Sequence, residues 1–246
     1  MNILKKDQVF PQGNHMFSIK LIRPGLIWQD PELDDYAFGP LSRIDHANLA
    51  KGTLVRMHEH VNDEILSYIW KGNMLHEDST GKKVTISPAK YMMMGAGKSF
   101  FHEESTPNES VEMLQIFIRP REKDLEPEVQ FSSAEIKSNN DWNLVAGPEN
   151  IDPPLTIRQD VIVMDYHGKK NDVIEVPQYD GMTPWLYVMD GSINISNQTL
   201  DKGEAITTED SDFSEVKLLK DTTLVLFLVD LNAPMTLAGN FSGVKK

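Results

Sequence analysis

The sequence predicts an all-β protein, built as an antiparallel sandwich or barrel. Short runs of aliphatic, aromatic and β-branched residues recur along the chain, and between them Lys71-Gly72-Asn73 and Asp190-Gly191 resemble hairpin turns. No stretch carries a convincing apolar stripe of helical period. With 246 residues, the chain is long enough for one large β domain or for two small ones that each bury a core.

The predicted strands of the first half are separated by turn residues such as Pro24-Gly25 and Gly52. These strands cover residues 16–22, 41–49, 53–57, 65–70, 74–76, 84–86, 91–94 and 111–118. The charged segment 119–128 follows, and prolines bracket most of it. We therefore expect an exposed connection there, with residues 119–123 as a solvated linker.

The second half is predicted to begin with a helical turn over residues 132–140 and to continue with a new series of strands. These strands cover residues 143–148, 157–164, 172–176, 184–189, 192–195, 204–208 and 222–229. His167 is the one histidine of this half, so the half offers no pair of imidazoles for a metal ion. Any metal chemistry is expected in the first half.

Composition excludes several classes of function. The net charge of -13, from 37 acidic and 24 basic residues, argues against direct binding of nucleic acid, because such binding relies on lysine and arginine at phosphates. The absence of cysteine excludes disulfides, iron–sulfur clusters and thiol nucleophiles, and leaves nitrogen and oxygen as metal ligands. The first residues lack the apolar run of a signal peptide, and no later stretch could span a bilayer. We expect a cytoplasmic protein that does not bind membranes.

Two pairs of residues carry the chemistry of this sequence: His58 with His60, and His102 with Glu104. Side chains two residues apart on a β-strand point to the same face, so each pair would present two donors on one surface. Three imidazoles and one carboxylate suit a divalent transition metal such as iron, zinc, nickel, copper or manganese. A single His-x-His pair also arises by chance in acidic strands, but the second pair favours a metal site.

Other residues that resemble ligands have simpler interpretations. His76 follows a predicted turn and is expected to be a surface or hydrogen-bonded histidine. The run Met92-Met93-Met94 is expected to pack in the core, because thioethers favour copper(I) and a strand buries alternate residues.

The motifs around these residues resemble those of the pirin family. The similar stretches are His58-Glu59-His60 with Glu64, His76-Glu77-Asp78-Ser79 with Gly81, Ala96-Gly97-Lys98-Ser99-Phe100-Phe101-His102-Glu103-Glu104, Phe38-Gly39-Pro40-Leu41, Leu114-Gln115-Ile116-Phe117-Ile118 and Ile157-Arg158-Gln159-Asp160. The sequence departs from the family pattern at Glu59, where a proline is usual, at Val61, where a basic residue is usual, and at Ser99, where a glycine is usual. The resemblance covers nearly the whole chain.

The resemblance implies a fold and a ligand set. The fold is two cupin-like antiparallel β-barrels of the jelly-roll type, with residues 1–130 forming a barrel that holds a metal and residues 131–246 a barrel without one. The implied metal ligands are His58, His60, His102 and Glu104. Iron(II) is the implied metal, with zinc, nickel, manganese and copper as alternatives.

The resemblance also implies two alternative functions. The first is a quercetin 2,3-dioxygenase-like oxidoreductase that cleaves a flavonol or a related enol, with Glu104 as the catalytic carboxylate that accepts the substrate proton. The second is a non-enzymatic metal- or redox-sensing regulator that contacts another protein. A pocket for a small aromatic substrate would favour the enzyme, and closure of the entrance by Phe100 and Phe101 would favour the sensor.

Which carboxylate completes the site is left open between two residues. Glu64 lies where many single-domain cupins supply their ligand, whereas the pirin pattern favours Glu104. Strand alternation also favours Glu104, since Asn62 and Asp63 interrupt the path from His60 to Glu64. Glu64 would then contact the residues that bind the metal without binding the metal itself.

Overall fold

The structure, a computed structural model, describes residues 1–132, 140–208, 213 and 215–246. Within these ranges the chain forms two short 3-10 helices, η1 (Pro24–Trp28) and η2 (Glu149–Ile151). The strands are β1 (Asn2–Leu4), β2 (Phe10–Gly13), β3 (Phe17–Ile22), β4 (Leu41–Leu49), β5 (Leu54–His60), β6 (Glu64–Lys71), β7 (Met74–Asp78), β8 (Lys83–Ile86), β9 (Met92–Gly95), β10 (Phe100–Ser105), β11 (Val111–Ile118), β12 (Glu128–Phe131), β13 (Trp142–Ala146), β14 (Val161–Gly168), β15 (Val173–Ile174), β16 (Thr183–Asp190), β17 (Ser192–Ile195), β18 (Gln198–Asp201), β19 (Ala205–Thr207), β20 (Val216–Leu218) and β21 (Thr222–Val229). No helix in the described ranges has the length and apolar character needed to cross a membrane.

The strands of the described residues form four antiparallel sheets, two for each barrel, and β1 from the start of the chain joins a sheet of the second barrel. The first half contains a seven-stranded sheet, in the order β12-β9-β6-β11-β4-β3-β2, and a four-stranded sheet, in the order β5-β10-β7-β8. The second half repeats this plan with β1-β19-β16-β21-β14-β13 and β15-β20-β17-β18. The large and small sheets of each half enclose an apolar interior, so the predicted all-β fold of two cupin-like barrels is confirmed.

Apolar side chains fill three layers. Met92 and Met113 lie inside the first barrel, and Ile193 lies inside the second. The largest cluster lies between the two large sheets, where Tyr68 of the first half packs in the same cluster as Trp185 of the second. Because both faces of these sheets are covered, adjacent residues of one strand are buried together.

The three consecutive methionines illustrate this burial on both faces. Met92 and Met94 point into the first barrel, whereas Met93 belongs to the layer between the barrels. All of them are buried, so their predicted packing in the core is confirmed.

The two turns predicted to form hairpins reverse the chain but do not join paired strands. Gly72-Asn73 connects β6 to β7, and Gly191 connects β16, which ends at Asp190, to β17. Each connection passes from the large sheet of a barrel to its small sheet. The turn residues specify a sharp reversal, but they do not specify which strand becomes the partner. A two-residue hairpin occurs instead at Ser196-Asn197, where both residues have positive φ and join β17 to β18.

Arg119 is buried, which corrects the prediction of a solvated linker over residues 119–123. Its side chain donates to Asp35 Oδ2 and Oδ1 at 2.7 and 2.8 Å and to the Ser242 carbonyl at 3.0 Å. The two-point contact with Asp35 offsets the cost of burying the guanidinium. Residues 121–124 are exposed as expected.

The connection between the halves contains residues that the structure does not describe. Of the predicted helical turn over 132–140, residues 133–139 lie outside the described part of the chain. The boundary at residue 130 stays a prediction. The termini cross this boundary, because β1 pairs with β19 and the chain after β21 returns to the first barrel, where Tyr36 N donates to Lys245 O at 2.7 Å.

We predict that Trp185→Ala strongly destabilises the fold. The indole is fully buried between the barrels, with ring centroids 5.9 Å from Tyr187 and 5.7 Å from Phe227. Its loss leaves a cavity that costs about 3–5 kcal/mol. Chemical denaturation measures the effect, and Phe10→Ala, at a position 46% exposed, is the control expected to change little. Similar stabilities of the two variants would contradict the assigned packing.

Candidate metal centre

Three histidines converge on the inner face of the small sheet of the first barrel. His58 and His102 are direct partners across β5 and β10, and His60 lies two residues along β5. The ring centroids are 4.5 Å apart for His58 and His102, 4.9 Å for His58 and His60, and 5.0 Å for His60 and His102. One ligand atom from each imidazole lies within 4.8 Å of the others. Strand alternation therefore brings these predicted residues together.

A β-bulge in β5 orients His58. Val55 is the partner of Glu104 and His58 is the partner of His102, so β5 contains one more residue than β10 over this interval. Arg56 and Met57 are consequently both exposed, and the Arg56 carbonyl accepts a hydrogen bond from His58 Nδ1 at 2.9 Å. The extra residue turns the strand so that its own backbone holds the imidazole.

The other two imidazoles are also held through Nδ1. His60 Nδ1 lies 3.3 Å from Asp63 Oδ2, and His102 Nδ1 lies 3.4 Å from His76 Nδ1. The Nε2 atoms of His60 and His102 are buried and have no hydrogen-bond partner within the described residues. Buried polar atoms normally have partners, and imidazoles held through one nitrogen present the other to a metal. The residues present therefore fit a metal bound through Nε2.

His76 and Asp78 extend the hydrogen bonds behind His102. His76 is fully buried, and its Nε2 lies 3.4 Å from Asp78 Oδ2. Asp78 Oδ1 in turn accepts from the Thr80 amide and hydroxyl at 2.9 and 2.5 Å. If His76 donates from Nε2 to the carboxylate, its Nδ1 is free to accept from His102. His76 is thus hydrogen-bonded, as one interpretation of the sequence expected, but it is not on the surface.

Burial favours the neutral form of the His58 and His102 imidazoles. Burial, together with the neighbouring imidazoles of His58, His60 and His76, lowers the pKa of His102 to about 2. Burial likewise lowers the pKa of His58. A neutral imidazole is the form that binds a cation.

Glu104 lies beside the three histidines but is not a member of the converging group. Its side chain is buried on the same face, and Oε1 lies 3.9 Å from His102 Nδ1. Gln115 Nε2 donates to the same oxygen at 3.3 Å. Burial raises the pKa of Glu104 to about 7, although the hydrogen bond from Gln115 opposes this effect. Its role as the fourth ligand stays a prediction.

Glu64 has a different partner. Its Oε1 accepts from Arg158 Nη2 at 2.6 Å and from Nε at 2.9 Å, and its Oε2 accepts from the Arg158 amide at 3.3 Å. A Cβ at Gly95 would overlap this guanidinium, so the glycine leaves room for the ion pair. Glu64 therefore joins the two halves of the chain and does not contact the imidazoles through any hydrogen bond that the described residues form.

The aromatic residues next to His102 lie on opposite faces of β10. Phe100 is 6% exposed and packs inside the barrel with Phe117, whereas Phe101 is 40% exposed on the outer face. Phe101 therefore does not close the site. A different residue covers His60: the Phe241 ring centroid lies 4.9 Å from that of His60.

Sequence reasoning missed Asp63, Gln115 and Phe241. Asp63 follows His60 by three residues, and a carboxylate so close to a ligand is a usable signal. Gln115 is a polar residue inside the apolar strand β11, and this contrast is also a usable signal for a site residue. Phe241 has no local signal, because it reaches His60 from the far end of the chain.

The fold and the site define a class of protein: a chain of two cupin-like barrels in which the described residues form one candidate metal centre, in the first barrel. Comparison with known proteins supports this class. The sequence profile of the family described as Pirin matches residues 28–118, and that of the quercetinase C-terminal cupin domain matches residues 144–230. The chain belongs to the pirin family.

Individual relatives cover most of the chain. A Zymomonas mobilis protein provisionally named quercetin 2,3-dioxygenase is 30% identical over 224 residues, 89% of this chain and 92% of the relative. Quercetin 2,3-dioxygenase of Escherichia coli K12 is 23% identical over 192 residues, 77% of this chain and 82% of the relative. Among solved structures, YhhW from Escherichia coli has a TM-score of 0.80 at 21% identity and covers 92% of this chain and 96% of its own. Bacterial pirin YhhW in complex with nickel(II) has a TM-score of 0.79 at 20% identity, with coverage of 92% and 97%.

We predict that substitution of the two competing carboxylates affects iron(II) binding differently. Glu104→Gln is expected to weaken iron(II) binding greatly, because it removes a carboxylate that is buried on the same face as the three histidines and is the predicted anionic ligand. Glu64→Gln is expected to leave the affinity close to that of the wild type, since Glu64 pairs with Arg158. Anaerobic titration of iron(II) into both variants measures the difference. Loss of the metal in Glu64→Gln alone would show that the ligand set of single-domain cupins applies.

We also predict that His76→Phe lowers the metal affinity about 10–100-fold, which is typical when a residue that orients a ligand is lost. Phenylalanine fills the buried space but cannot accept a hydrogen bond from His102 Nδ1. The same titration measures the affinity, and nitrogen NMR of the imidazoles reports the tautomer of His102. His15→Phe, at an exposed position, is the control. An unchanged affinity in His76→Phe would exclude this orienting role.

Proposed function

We propose that this protein is a metal-dependent dioxygenase that cleaves a flavonol resembling quercetin, or a related enol. The observation that carries the proposal is the convergence of three imidazoles, two of them with buried Nε2 atoms that lack partners among the described residues. The dioxygenase names of the relatives indicate the class of substrate.

The proposed ligands are His58, His60, His102 and Glu104, and the proposed metal is iron(II). Zinc, nickel, manganese and copper are alternatives that the same nitrogen and oxygen donors accept. The nickel(II) complex of YhhW supports the choice of a divalent metal. When bound, the metal supplies Lewis acidity for the enol oxygen and a position for dioxygen.

The residues of the chain hold the ligands and move one proton. The Nδ1 partners of the imidazoles fix their orientation, and Gln115 holds Glu104 beside His102. Glu104 is proposed to accept the hydroxyl proton of the flavonol, so that the enolate reacts with dioxygen. Dioxygen is then incorporated as the ring opens, and the ring carbon that bears the hydroxyl leaves as carbon monoxide.

The substrate is proposed to approach from the side of His58. His58 is half-buried, whereas His60 and His102 are buried, so the solvent reaches the centre most easily at His58. Closure of the entrance by Phe100 and Phe101 would favour a regulator. Phe101 does not cover this centre, so it does not contribute to such a closure. A protein partner stays a prediction.

The decisive experiment is an activity assay on the protein loaded separately with iron, nickel, manganese, copper and zinc. Quercetin consumption and carbon monoxide release under oxygen are expected for at least one of these forms. His102→Ala is expected to abolish both signals, and His15→Ala, at an exposed site, is expected to retain them. Absence of product with every metal would overturn the dioxygenase. Different proteins captured by the oxidised and reduced forms would then favour the regulator.

A further inference from the structure

Asp63 connects the candidate metal centre to the C-terminal end of the chain. Its carboxylate is fully buried, and Oδ2 lies 3.3 Å from His60 Nδ1. Oδ1 accepts from the Ser242 amide at 2.8 Å and from the Ser242 hydroxyl at 2.7 Å. The Phe241 amide lies 3.3 Å from each oxygen. One carboxylate therefore bonds both a proposed metal ligand and a segment about 180 residues further along the chain.

Residues 239–242, here called the C-terminal strap, lie along the edge of the small sheet of the first barrel. β5 is the outermost strand of that sheet, and the strap bonds the backbone where β5 ends. Asn240 N donates to the Val61 carbonyl at 3.0 Å, and the Val61 amide donates to Asn240 Oδ1 at 3.1 Å. Asn240 Nδ2 donates to the Glu59 carbonyl at 3.2 Å. The strap thus occupies backbone groups of a strand edge.

The Phe241 side chain of the strap also forms part of the wall around His60. The Phe241 ring lies 4.9 Å from the His60 ring and stacks on Phe117 at 5.5 Å. The Arg43 guanidinium lies 5.3 Å from the Phe117 ring and 5.7 Å from the Phe241 ring. Removal of the strap would therefore expose one side of the His60 imidazole.

We propose that Asp63 is a positioning residue that couples docking of the C-terminal strap to retention of the metal at His60. The proposal rests on the metal-binding part of the proposed function. A docked strap then shields His60 and slows the loss of the metal from the centre.

The coupling has a physical cause in each direction. Donors from the strap fix the rotation of the Asp63 carboxylate, so that Oδ2 faces His60 Nδ1 and the imidazole is held in the orientation that presents Nε2. Coordination at Nε2 makes the Nδ1 proton a stronger donor, which strengthens the bond to Asp63 and the packing of Phe241. Linkage requires these two effects to be equal in free energy.

Gly239 offers a way to separate the strap from the Asp63 carboxylate without substituting Asp63 or His60. A Cβ at this position would overlap Asp63 Oδ1 and Ser242 Oγ. Glycine therefore permits the close approach of strap and carboxylate, and alanine would force them apart.

The first test measures the dissociation of zinc into a chelator, because zinc has no redox chemistry. Gly239→Ala and Asp63→Asn are expected to release zinc about 10–100-fold faster than the wild type. Phe241→Ala is a second strap variant in case the alanine at 239 disturbs folding. Leu237→Ala, just outside the strap and 48% exposed, is the control expected to match the wild type.

The second test measures the reverse effect, that of the metal on the strap. Chymotrypsin cleavage after Phe241 is expected to be slower in the zinc-loaded wild type than in the metal-free protein, by a factor of the same order. Asp63→Asn is expected to remove this dependence on zinc. If the strap had only a structural role, the strap variants would lower thermal stability. They would change neither the zinc dissociation rate nor the zinc dependence of cleavage.

The outcomes separate this proposal from the proposed function. The coupling is overturned if zinc dissociates at equal rates from the wild type and both strap variants, or if the cleavage rate does not depend on zinc. The assignment of the metal centre is not affected by either result. A wild-type protein that binds none of the candidate metals overturns both.

Discussion

Packing of the two large sheets against each other is the interaction on which the rest of the structure depends. Tyr68 and Leu114 of the first half meet Trp185 and Phe227 of the second in one continuous cluster. Side chains alternate along a strand, so every residue not used in this layer points into a barrel. The layer thereby fixes the register of β6 and β11, whose remaining side chains form the wall opposite the histidines. A slip of one residue would turn polar groups such as Gln115 into the apolar layer, which explains why the register is strongly specified.

Four strands were predicted with correct ends. One of them is the short strand Ser192–Ile195, and the other three leave a long apolar signal because they are buried. Leu41–Leu49, Val111–Ile118 and Thr222–Val229 are central strands with both faces covered. Two of the strands that were not predicted, β2 and β18, are short and largely exposed, and their pairing depends on neighbours rather than on their own composition. The same limit explains the crossovers after β6 and β16, because the partner of the next strand is decided by barrel closure.

The candidate site was predictable in its donors and not in their supports. His58, His60 and His102 follow from a spacing of two residues on strands, which is a property of the sequence. The groups that hold them come from three unrelated sources: a bulge carbonyl at Arg56, a histidine of the adjacent strand and the carboxylate of Asp63. A bulge has no signal in the residues that form it here, and His76 supports His102 because β7 and β10 become neighbours. Asp63, three residues after His60, is the support with a local signal.

The two barrels show what a metal site demands of a shared architecture. The interior of the second barrel includes Ile193, Leu200 and Leu218 of its small sheet, whereas the corresponding sheet of the first barrel presents imidazoles and a carboxylate. An apolar interior stabilises without needing partners, while each buried nitrogen without one costs about 1–3 kcal/mol. A cation bound at Nε2 of His60 and His102 would remove that cost, so metal binding and the stability of the first barrel are linked. The described residues of the second barrel include no buried side-chain nitrogen that lacks a partner, and this difference is the physical basis for expecting the metal in the first barrel alone.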